Sequence, residues 1–124
     1  MALPEEYSSK RILIVDDQTF NINALKIILE NVFKLDTKSL CSIAKNGQEA
    51  VDQVIKSTEH FAGRKCGYAL IFMDCNMPVL DGYEATTRIR SYIHKKQVKQ
   101  PIISAVTGHT EKMYVKKAID SGMN

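Results

Sequence analysis

Side chains that could do chemistry together follow the apolar runs of this sequence. Asp16 and Asp17 come directly after one run, Asp74 ends a second, and Thr107 ends a third. The carboxyl ends of parallel strands lie at one edge of a sheet, where ligands bind, so we expect these side chains to meet there. Three unpaired anions repel strongly, and a hard divalent cation with oxygen ligands would neutralise them. Mg²⁺ is the predicted cation, because it holds few carboxylates and favours phosphate oxygens.

Asp74 is also a candidate for covalent chemistry. A carboxylate can attack phosphorus and form an aspartyl phosphate. A metal ion would offset the charge on the transferring phosphoryl group, and the hydroxyl of Thr107 would donate to one of its oxygens. A single acid after a strand is about as often a loop or capping residue as a ligand. The joint pattern of acids and hydroxyl is what indicates a phosphoryl-transfer site.

Four apolar runs alternate with helical patterns and would position these side chains. The run Tyr68–Met73 is six consecutive apolar residues, which is typical of a strand buried on both faces of a parallel sheet. Strands are predicted at 11–15, 38–44, 68–73 and 101–106; helices are predicted after Thr19 as N-cap, after Asn46-Gly47, and over 83–96 and 111–120. Alternating strands and helices predict an α/β fold, a doubly wound parallel sheet with helices on both faces.

Length and composition exclude several classes of protein. The 124 residues suit one domain, and the formal net charge is +3. No basic stripe is interleaved with aromatic residues, so direct nucleic-acid binding has little support. No apolar run approaches the ~20 residues of a membrane span, so we expect no membrane contact by this domain. Residues 1–10 lack the apolar region of a secretory signal and are predicted to be a polar leader.

The cysteines indicate a reducing compartment. Cys41, Cys66 and Cys75 are too far apart for a C-x-x-C metal or redox motif. An odd number of cysteines without a signal peptide favours reduced thiols in the cytosol. Cys75 adjoins Asp74, but no His lies near it in the sequence, and a reactive thiol is the weaker interpretation.

Two known families with an α/β fold of this kind fit the residues of this sequence poorly. A phosphatase of the haloacid-dehalogenase type also uses a nucleophilic Asp, but it requires a second Asp two residues later, where this chain has Asn76. A flavodoxin is disfavoured because Asp16-Asp17, and not a hydroxyl- and Gly-rich phosphate loop, follows the first strand.

Three motifs resemble the receiver domain of two-component response regulators. They are Ile12–Asp17, Met73–Gly82 and Ala105–Gly108. The middle motif, followed by Tyr83–Thr86, is especially similar to receivers fused to hybrid sensor histidine kinases. The resemblance covers residues 11–124, which we assign as the receiver domain. It implies a flavodoxin-like fold with sheet order 2-1-3-4-5.

The resemblance also implies roles for individual residues. Asp74 matches the phosphoacceptor, and Asp16 and Asp17 match the acidic pair that holds Mg²⁺. Asn76 matches the position whose backbone carbonyl completes the metal site, and Thr107 matches the switch hydroxyl. Asn76 and His109 match positions whose residues tune the rate of autodephosphorylation in the family.

The sequence departs from the family pattern at its end. The family continues past Gly122 with a fifth strand, a Lys that contacts the phosphoryl group, an aromatic switch residue and a fifth helix. This sequence stops at Asn124, so we expect sheet order 2-1-3-4 without those parts, from a receiver that is incomplete at its C-terminus. Two consequences are predicted. Acyl-phosphate formation should be weaker, and the unpaired edge of the strand Ile102–Val106 should cause dimerisation, exchange of elements between chains or poor solubility. A longer natural protein is the alternative explanation.

The predicted function is that of a phosphorelay receiver. It would accept a phosphoryl group from a phosphohistidine on a histidine kinase or a histidine phosphotransfer domain, and later lose that group slowly by autodephosphorylation. Phosphorylation would shift a conformational equilibrium and alter a partner surface. The expected location is the cytoplasm, either freestanding or as the cytosolic part of a membrane-bound hybrid kinase. A pseudo-receiver that only binds other proteins and is never phosphorylated stays open as the alternative.

Overall fold

The computed structural model of the chain describes residues 9–106 and 112–124. The strands are β1 (Ile12–Val15), β2 (Cys41–Ala44), β3 (Leu70–Asp74) and β4 (Ile102–Val106). The helices are α1 (Thr19–Asn31), α2 (Thr37–Leu40), α3 (Gly47–His60), α4 (Gly82–Lys96) and α5 (Lys112–Ser121). Within the described residues, no helix combines the length and the apolar composition that crossing a bilayer requires.

The strands form one parallel sheet in the order β2-β1-β3-β4. This confirms the α/β class and the order 2-1-3-4 predicted from the sequence. In the register of β1 and β3, Val15 lies opposite Met73, and β3 pairs with β4 up to Asp74 and Val106. The strand ends that carry the acids are therefore level with each other at one edge of the sheet.

The central strand β1 is buried on both faces of the sheet. Leu13 and Val15 belong to a core cluster with side chains of α3 and α4. Ile12 and Ile14 belong to a second cluster with side chains of α1. Successive side chains of a strand point to opposite faces, so burial of both faces requires an unbroken apolar run. In β3, by contrast, only every second residue is fully buried.

The predicted strand 38–44 is wrong in its first half. Residues Thr37–Leu40 form the single helical turn α2, and β2 starts at Cys41. The Ser39 hydroxyl donates to a carboxylate oxygen of Asp36 at 2.8 Å, and the Leu40 N–H donates to the Asp36 carbonyl at 3.0 Å. Local bonds of this kind compete with strand pairing, and here they hold the chain in a turn until the apolar residues of β2 begin.

Arg90 of α4 ties the last described residues to the sheet. Its guanidinium donates to the carbonyl oxygens of Gly122 at 2.8 Å and Pro101 at 2.6 Å, and to the side-chain oxygen of Asn124 at 2.8 Å. Asn124 in turn accepts from the N–H of Ile103 at 2.8 Å and donates its own N–H to the Ile103 carbonyl at 2.9 Å. The outer edge of β4 is therefore paired at Ile103, where the sequence had predicted an unpaired edge.

Candidate functional site

The carboxylates of Asp16, Asp17 and Asp74 meet at the carboxyl ends of β1 and β3. One oxygen from each lies within 4.8 Å of the other two. Asp16 is buried, with 5% of its surface exposed, and Asp17 and Asp74 are half-buried. The convergence that the sequence suggested is thus present in the structure, because β1 and β3 are neighbours in the sheet.

Asp16 is fixed by the first turn of α1. Its carboxylate accepts from the backbone N–H of Gln18 at 2.9 Å and lies 3.5 Å from the side-chain amide of Asn21. Gln18, and not the predicted Thr19, occupies the N-cap position of α1, and no side chain caps the helix there. The bond to Asp16 begins the turn one residue earlier than the sequence indicated. The positive end of the helix dipole also favours an anion at this place.

The surroundings of Asp74 disfavour its charged form and raise its pKa. Burial raises its pKa from the ordinary 3.8 to about 6, and the charges of Asp16 and Asp17 act in the same direction. One contact opposes them: the backbone N–H of Asn76 donates to the Asp74 carboxylate at 3.2 Å. A hard cation with oxygen ligands fits this donor set, since a set of clustered, half-buried carboxylates gains most from added positive charge.

Lys45 is a cation at the same edge of the sheet that the sequence analysis missed. It directly follows β2, and the N–H of Asp16 donates to the carbonyl of the preceding Ala44 at 3.1 Å. The Lys45 ammonium donates to the hydroxyl of Thr19 at 2.8 Å. The signal that could have revealed it was its position, because Lys45 follows its strand as Asp16 follows β1.

Two glycines hold the loop that follows Asp74. The N–H of Gly82 donates to the Cys75 carbonyl at 3.1 Å, and a Cβ at Gly82 would lie 2.1 Å from the carbonyl oxygen of Asp74. The N–H of Gly47 donates to the Leu80 carbonyl at 3.0 Å, and a Cβ there would lie 2.3 Å from that oxygen. Both approaches exclude any larger residue, so the loop between Asp74 and Gly82 is held against the first residues of α3 and α4.

Asp81 lies at the start of the helix that follows the loop after Asp74. It is the N-cap of α4, and its carboxylate accepts from the N–H of Glu84 at 2.9 Å. The spacing of Asp81 and Glu84 is that of a capping box, which was the available signal in the sequence. The helix predicted at Asn46-Gly47 is confirmed, and Asn46 is its N-cap, because its side chain accepts from the N–H of Glu49 at 2.8 Å.

Cys75 is buried in the core and does not face the acidic cluster as a free nucleophile. None of its surface is exposed, and it packs with Met77 and Tyr83 in the larger core cluster. Burial raises the pKa of its thiol, and the charge of Asp74 acts in the same direction. A reactive thiolate is therefore disfavoured at this position.

Of the remaining predicted site residues, the structure describes Asn76. Asn76 is exposed beside Asp74, and the predicted use of its backbone carbonyl at a metal ion stays a prediction. Thr107 and His109 lie outside the described residues, so the predicted switch hydroxyl and the predicted modulating position stay predictions as well.

Comparison with known proteins identifies similar sequences along nearly the whole chain. A family model described as the response regulator receiver domain matches residues 12–124. Hybrid signal transduction histidine kinase A of Dictyostelium discoideum is 34% identical over 115 residues, which make up 93% of this chain and 5% of that protein. The chain therefore spans about a twentieth of the length of this relative.

Solved structures of similar sequence share the fold. One is a chain of the co-crystal structure of the Saccharomyces cerevisiae histidine phosphotransfer signaling protein Ypd1 and the receiver domain of its downstream response regulator Ssk1. It has a TM-score of 0.73 and 34% identity, over 94% of this chain and 75% of that one. Another is the receiver domain of the Arabidopsis thaliana histidine kinase CKI1 complexed with Mg²⁺. It has a TM-score of 0.72 and 30% identity, over 92% of this chain and 79% of that one.

Proposed function

Since this chain belongs to the family of response regulator receiver domains, we propose that it accepts a phosphoryl group on Asp74 from a phosphohistidine of another protein domain. The observation that carries this proposal is the cluster of Asp16, Asp17 and Asp74 oxygens within 4.8 Å at the ends of β1 and β3. The receivers of similar sequence provide further support, because one is solved with Mg²⁺ and another with a histidine phosphotransfer protein.

Mg²⁺ is the cofactor that these residues would hold. Its ligands would be the carboxylates of Asp16, Asp17 and Asp74 and the backbone carbonyl of Asn76. When bound, the ion supplies the positive charge that offsets the phosphoryl group and the clustered carboxylates. The raised pKa of Asp74, about 6, supports this assignment because it reflects an environment in which the charged carboxylate lacks compensation.

In the transfer step, a carboxylate oxygen of Asp74 attacks the phosphorus of the phosphohistidine. The new O–P bond forms as the N–P bond breaks, and the electron pair of the broken bond stays on the imidazole nitrogen. With a pKa of about 6, Asp74 is mostly ionised at neutral pH and is therefore available as the nucleophile. Hydrolysis of the acyl phosphate by water later restores the carboxylate, at a rate tuned by Asn76 and His109.

The partners are a histidine kinase or histidine phosphotransfer domain as donor, and a protein that reads the phosphorylated state. Thr107 is the proposed switch hydroxyl, which donates to a phosphoryl oxygen and biases the conformation after β4. The proposed place of action is the cytoplasm, in keeping with the free thiols of Cys41, Cys66 and Cys75. Dimerisation through β4 is a further proposal, and it would use the strand edge beyond Ile103, which Asn124 already pairs. Sedimentation of a stable monomer would contradict it.

Mass spectrometry after incubation with Mg²⁺ and acetyl phosphate tests the acceptor. The chain should gain the mass of one phosphoryl group, and Asp74→Asn should not. Asp81→Asn is the matched control, because it alters a neighbouring carboxylate of the same loop and keeps a capping side chain. Equal incorporation by the chain and Asp74→Asn would refute the acceptor. No incorporation by the chain itself, while it binds a partner domain, would favour the pseudo-receiver.

A further inference from the structure

A cavity lies beside the loop that joins α3 to β3. It has a volume of about 490 Å³ and is lined by His60, Phe61, Ala62, Arg64 and Lys65. The arginine and the lysine are positively charged at neutral pH, and none of the five residues is an acid. A cavity of this volume is large enough for a small organic molecule. The charges of its lining predict that such a molecule would be an anion.

The backbone of this loop folds back onto the end of α3. Ala62 and Gly63 have positive φ values of +56° and +73°, a conformation that alanine adopts only at a cost in free energy. The N–H of Gly63 donates to the Thr58 carbonyl at 2.9 Å, and the N–H of Arg64 donates to the Phe61 carbonyl at 3.0 Å. These bonds hold the loop against the last turn of α3, so that Arg64 lines the same cavity as the end of the helix.

The ring of Phe61 is a wall of the cavity. Its position requires Gly67, because a Cβ there would lie 2.8 Å from Cε2 of the ring. The imidazole of His60 meets the ring edge-on, with centroids 4.7 Å apart, and the Lys65 ammonium lies 4.5 Å from the ring centroid. A cation over an aromatic face is attracted by the ring quadrupole. The charge of Lys65 is therefore held at the cavity although its side chain is exposed.

Further cations lie near the cavity, at the edge of the sheet opposite the acidic cluster. α3 and α4 each follow a parallel strand and lead to the next, so both helices end at this edge. Beyond the cavity lining, residues 55–67 and 92–100 carry four lysines, Lys56, Lys95, Lys96 and Lys99, and one acid, Glu59. Charges of one sign around a cleft raise the local concentration of an oppositely charged ligand.

We infer that this cavity binds a small phosphorylated molecule that carries a flat ring, such as a nucleoside monophosphate. The Arg64 guanidinium is a planar fork of donors that matches two phosphate oxygens, and the Lys65 ammonium adds a second positive charge. A phosphate monoester carries nearly two negative charges at neutral pH, so it gains more from two cations than a carboxylate does. The ring of the ligand would occupy the rest of the cavity, against Phe61.

This site is separate from the acidic cluster. The loop precedes β3 and Asp74 ends it, and β3 alone spans about 13 Å. The inference therefore does not rest on the proposed function, and the failure of either leaves the other in place.

A purely structural role of the same cations makes a different prediction. Positive side chains near the C-terminus of a helix stabilise the helix through its dipole. In that case, removal of the Arg64 or Lys65 charge would lower the urea midpoint without changing the binding of any ligand. Binding and urea unfolding are therefore measured on the same variants.

Adenosine 5′-monophosphate is the probe, and the chemical shifts of backbone amides measure its binding in the presence of a chelator. The chelator removes divalent cations, which would otherwise attract the phosphate to the acidic cluster. We expect saturable shift changes at residues 60–67 with a Kd below about 1 mM. Adenosine and inorganic phosphate, which each carry one part of the probe, should bind at least about tenfold more weakly.

Three variants test the residues that line the cavity. Arg64→Gln and Lys65→Gln each remove one charge and should weaken binding of the probe about tenfold, the effect of losing one charge-assisted hydrogen bond. Their urea midpoints should stay unchanged, because both side chains are exposed. Phe61→Leu keeps an apolar side chain but removes the aromatic face, and should weaken binding about threefold.

Lys34→Gln is the matched control. Lys34 is an exposed lysine that follows α1, and α1 packs on the other face of the sheet from α3. This variant loses the same charge and should bind the probe as the parent chain does. An equal loss of affinity in Lys34→Gln would show general attraction by positive charge and would overturn the site.

Other results would also overturn it. One is the absence of saturable shift changes at residues 60–67 up to about 10 mM probe. Another is parent-like binding by Arg64→Gln and Lys65→Gln, which together with lowered urea midpoints would assign these cations to the helix dipole. Equal affinities for inorganic phosphate and the probe would overturn the contact between the ligand ring and Phe61.

Discussion

Replacing Asp74 by asparagine should stabilise the metal-free protein at neutral pH. Burial, reinforced by the charges of Asp16 and Asp17, raises the pKa of Asp74 from 3.8 to about 6 in the folded state. The carboxyl group of Asp74 therefore binds its proton more tightly in the folded state than in the unfolded state. Stability that the protonated carboxyl contributes is present below about pH 4 and is lost as pH rises through about 6. Asparagine cannot ionise and does not suffer this loss.

The size of the effect follows from the pKa shift with a correction for solvent. A shift of about two units corresponds to roughly 3 kcal/mol at about 1.4 kcal/mol per unit. Asp74 is only half-buried, and water screens charges at such a position, so roughly 1–2 kcal/mol is the expected gain for Asp74→Asn at pH 7.5. At pH 4 the gain should be close to zero, because the carboxyl is then protonated in the folded state.

Urea unfolding in the presence of a chelator, at pH 7.5 and at pH 4, measures this difference. Asp52→Asn is the control, because Asp52 is an exposed aspartate of α3 that contacts only Gln48 among the hydrogen bonds described. Added Mg²⁺ should stabilise the parent chain more than Asp74→Asn, since it loses a carboxylate ligand in the variant. An equal gain for Asp74→Asn at both pH values would refute the electrostatic reasoning, and so would a larger gain at pH 4.

Three further substitutions test the contacts that position the site. In urea unfolding, Gly82→Ala should destabilise the fold by about 3 kcal/mol, because the new Cβ would lie 2.1 Å from the Asp74 carbonyl oxygen. Gly63→Ala is the control and should cost only about 1 kcal/mol, because the space around Gly63 is open. Asn46→Ala should lower the unfolding free energy by about 1 kcal/mol through loss of the α3 cap, and an unchanged urea midpoint would contradict the cap. Arg90→Lys should lower it by about 2 kcal/mol and speed hydrogen exchange in the last described residues, because a lysine cannot reach the three acceptors together; parent-like exchange would rule out the tie.

The fold was predictable because hydrophobic burial dominates its strand pattern. The run Ile12–Val15 is apolar throughout since both faces of β1 are covered, and such a run has few alternatives. The error at Thr37–Leu40 arose where short polar side chains form local hydrogen bonds, which a search for apolar runs does not detect. The convergence of Asp16, Asp17 and Asp74 followed from strand ends alone.

The backbone conformation of the loop between Asp74 and Gly82 could not be predicted from apolar runs and strand ends. The positive φ of Val79 and the close approach of Gly82 to Asp74 depend on contacts between residues of the loop and the start of α3. The amino-acid sequence of the loop does not indicate that Val79 has a positive φ, which a valine rarely adopts. Lys45 was overlooked because attention to acids at strand ends left the cations at the same edge unconsidered.

The bond between Gly47 and Leu80 has a mechanical consequence. Gly47 is the first residue of α3, and Gly82, two residues after Leu80, is the first residue of α4. The start of each helix is thus fastened to one short segment, and sliding of α3 past α4 would have to break that bond. We therefore expect the starts of these two helices and the segment between them to move together, and a rearrangement that begins at Asp74 to have its hinge elsewhere in the domain.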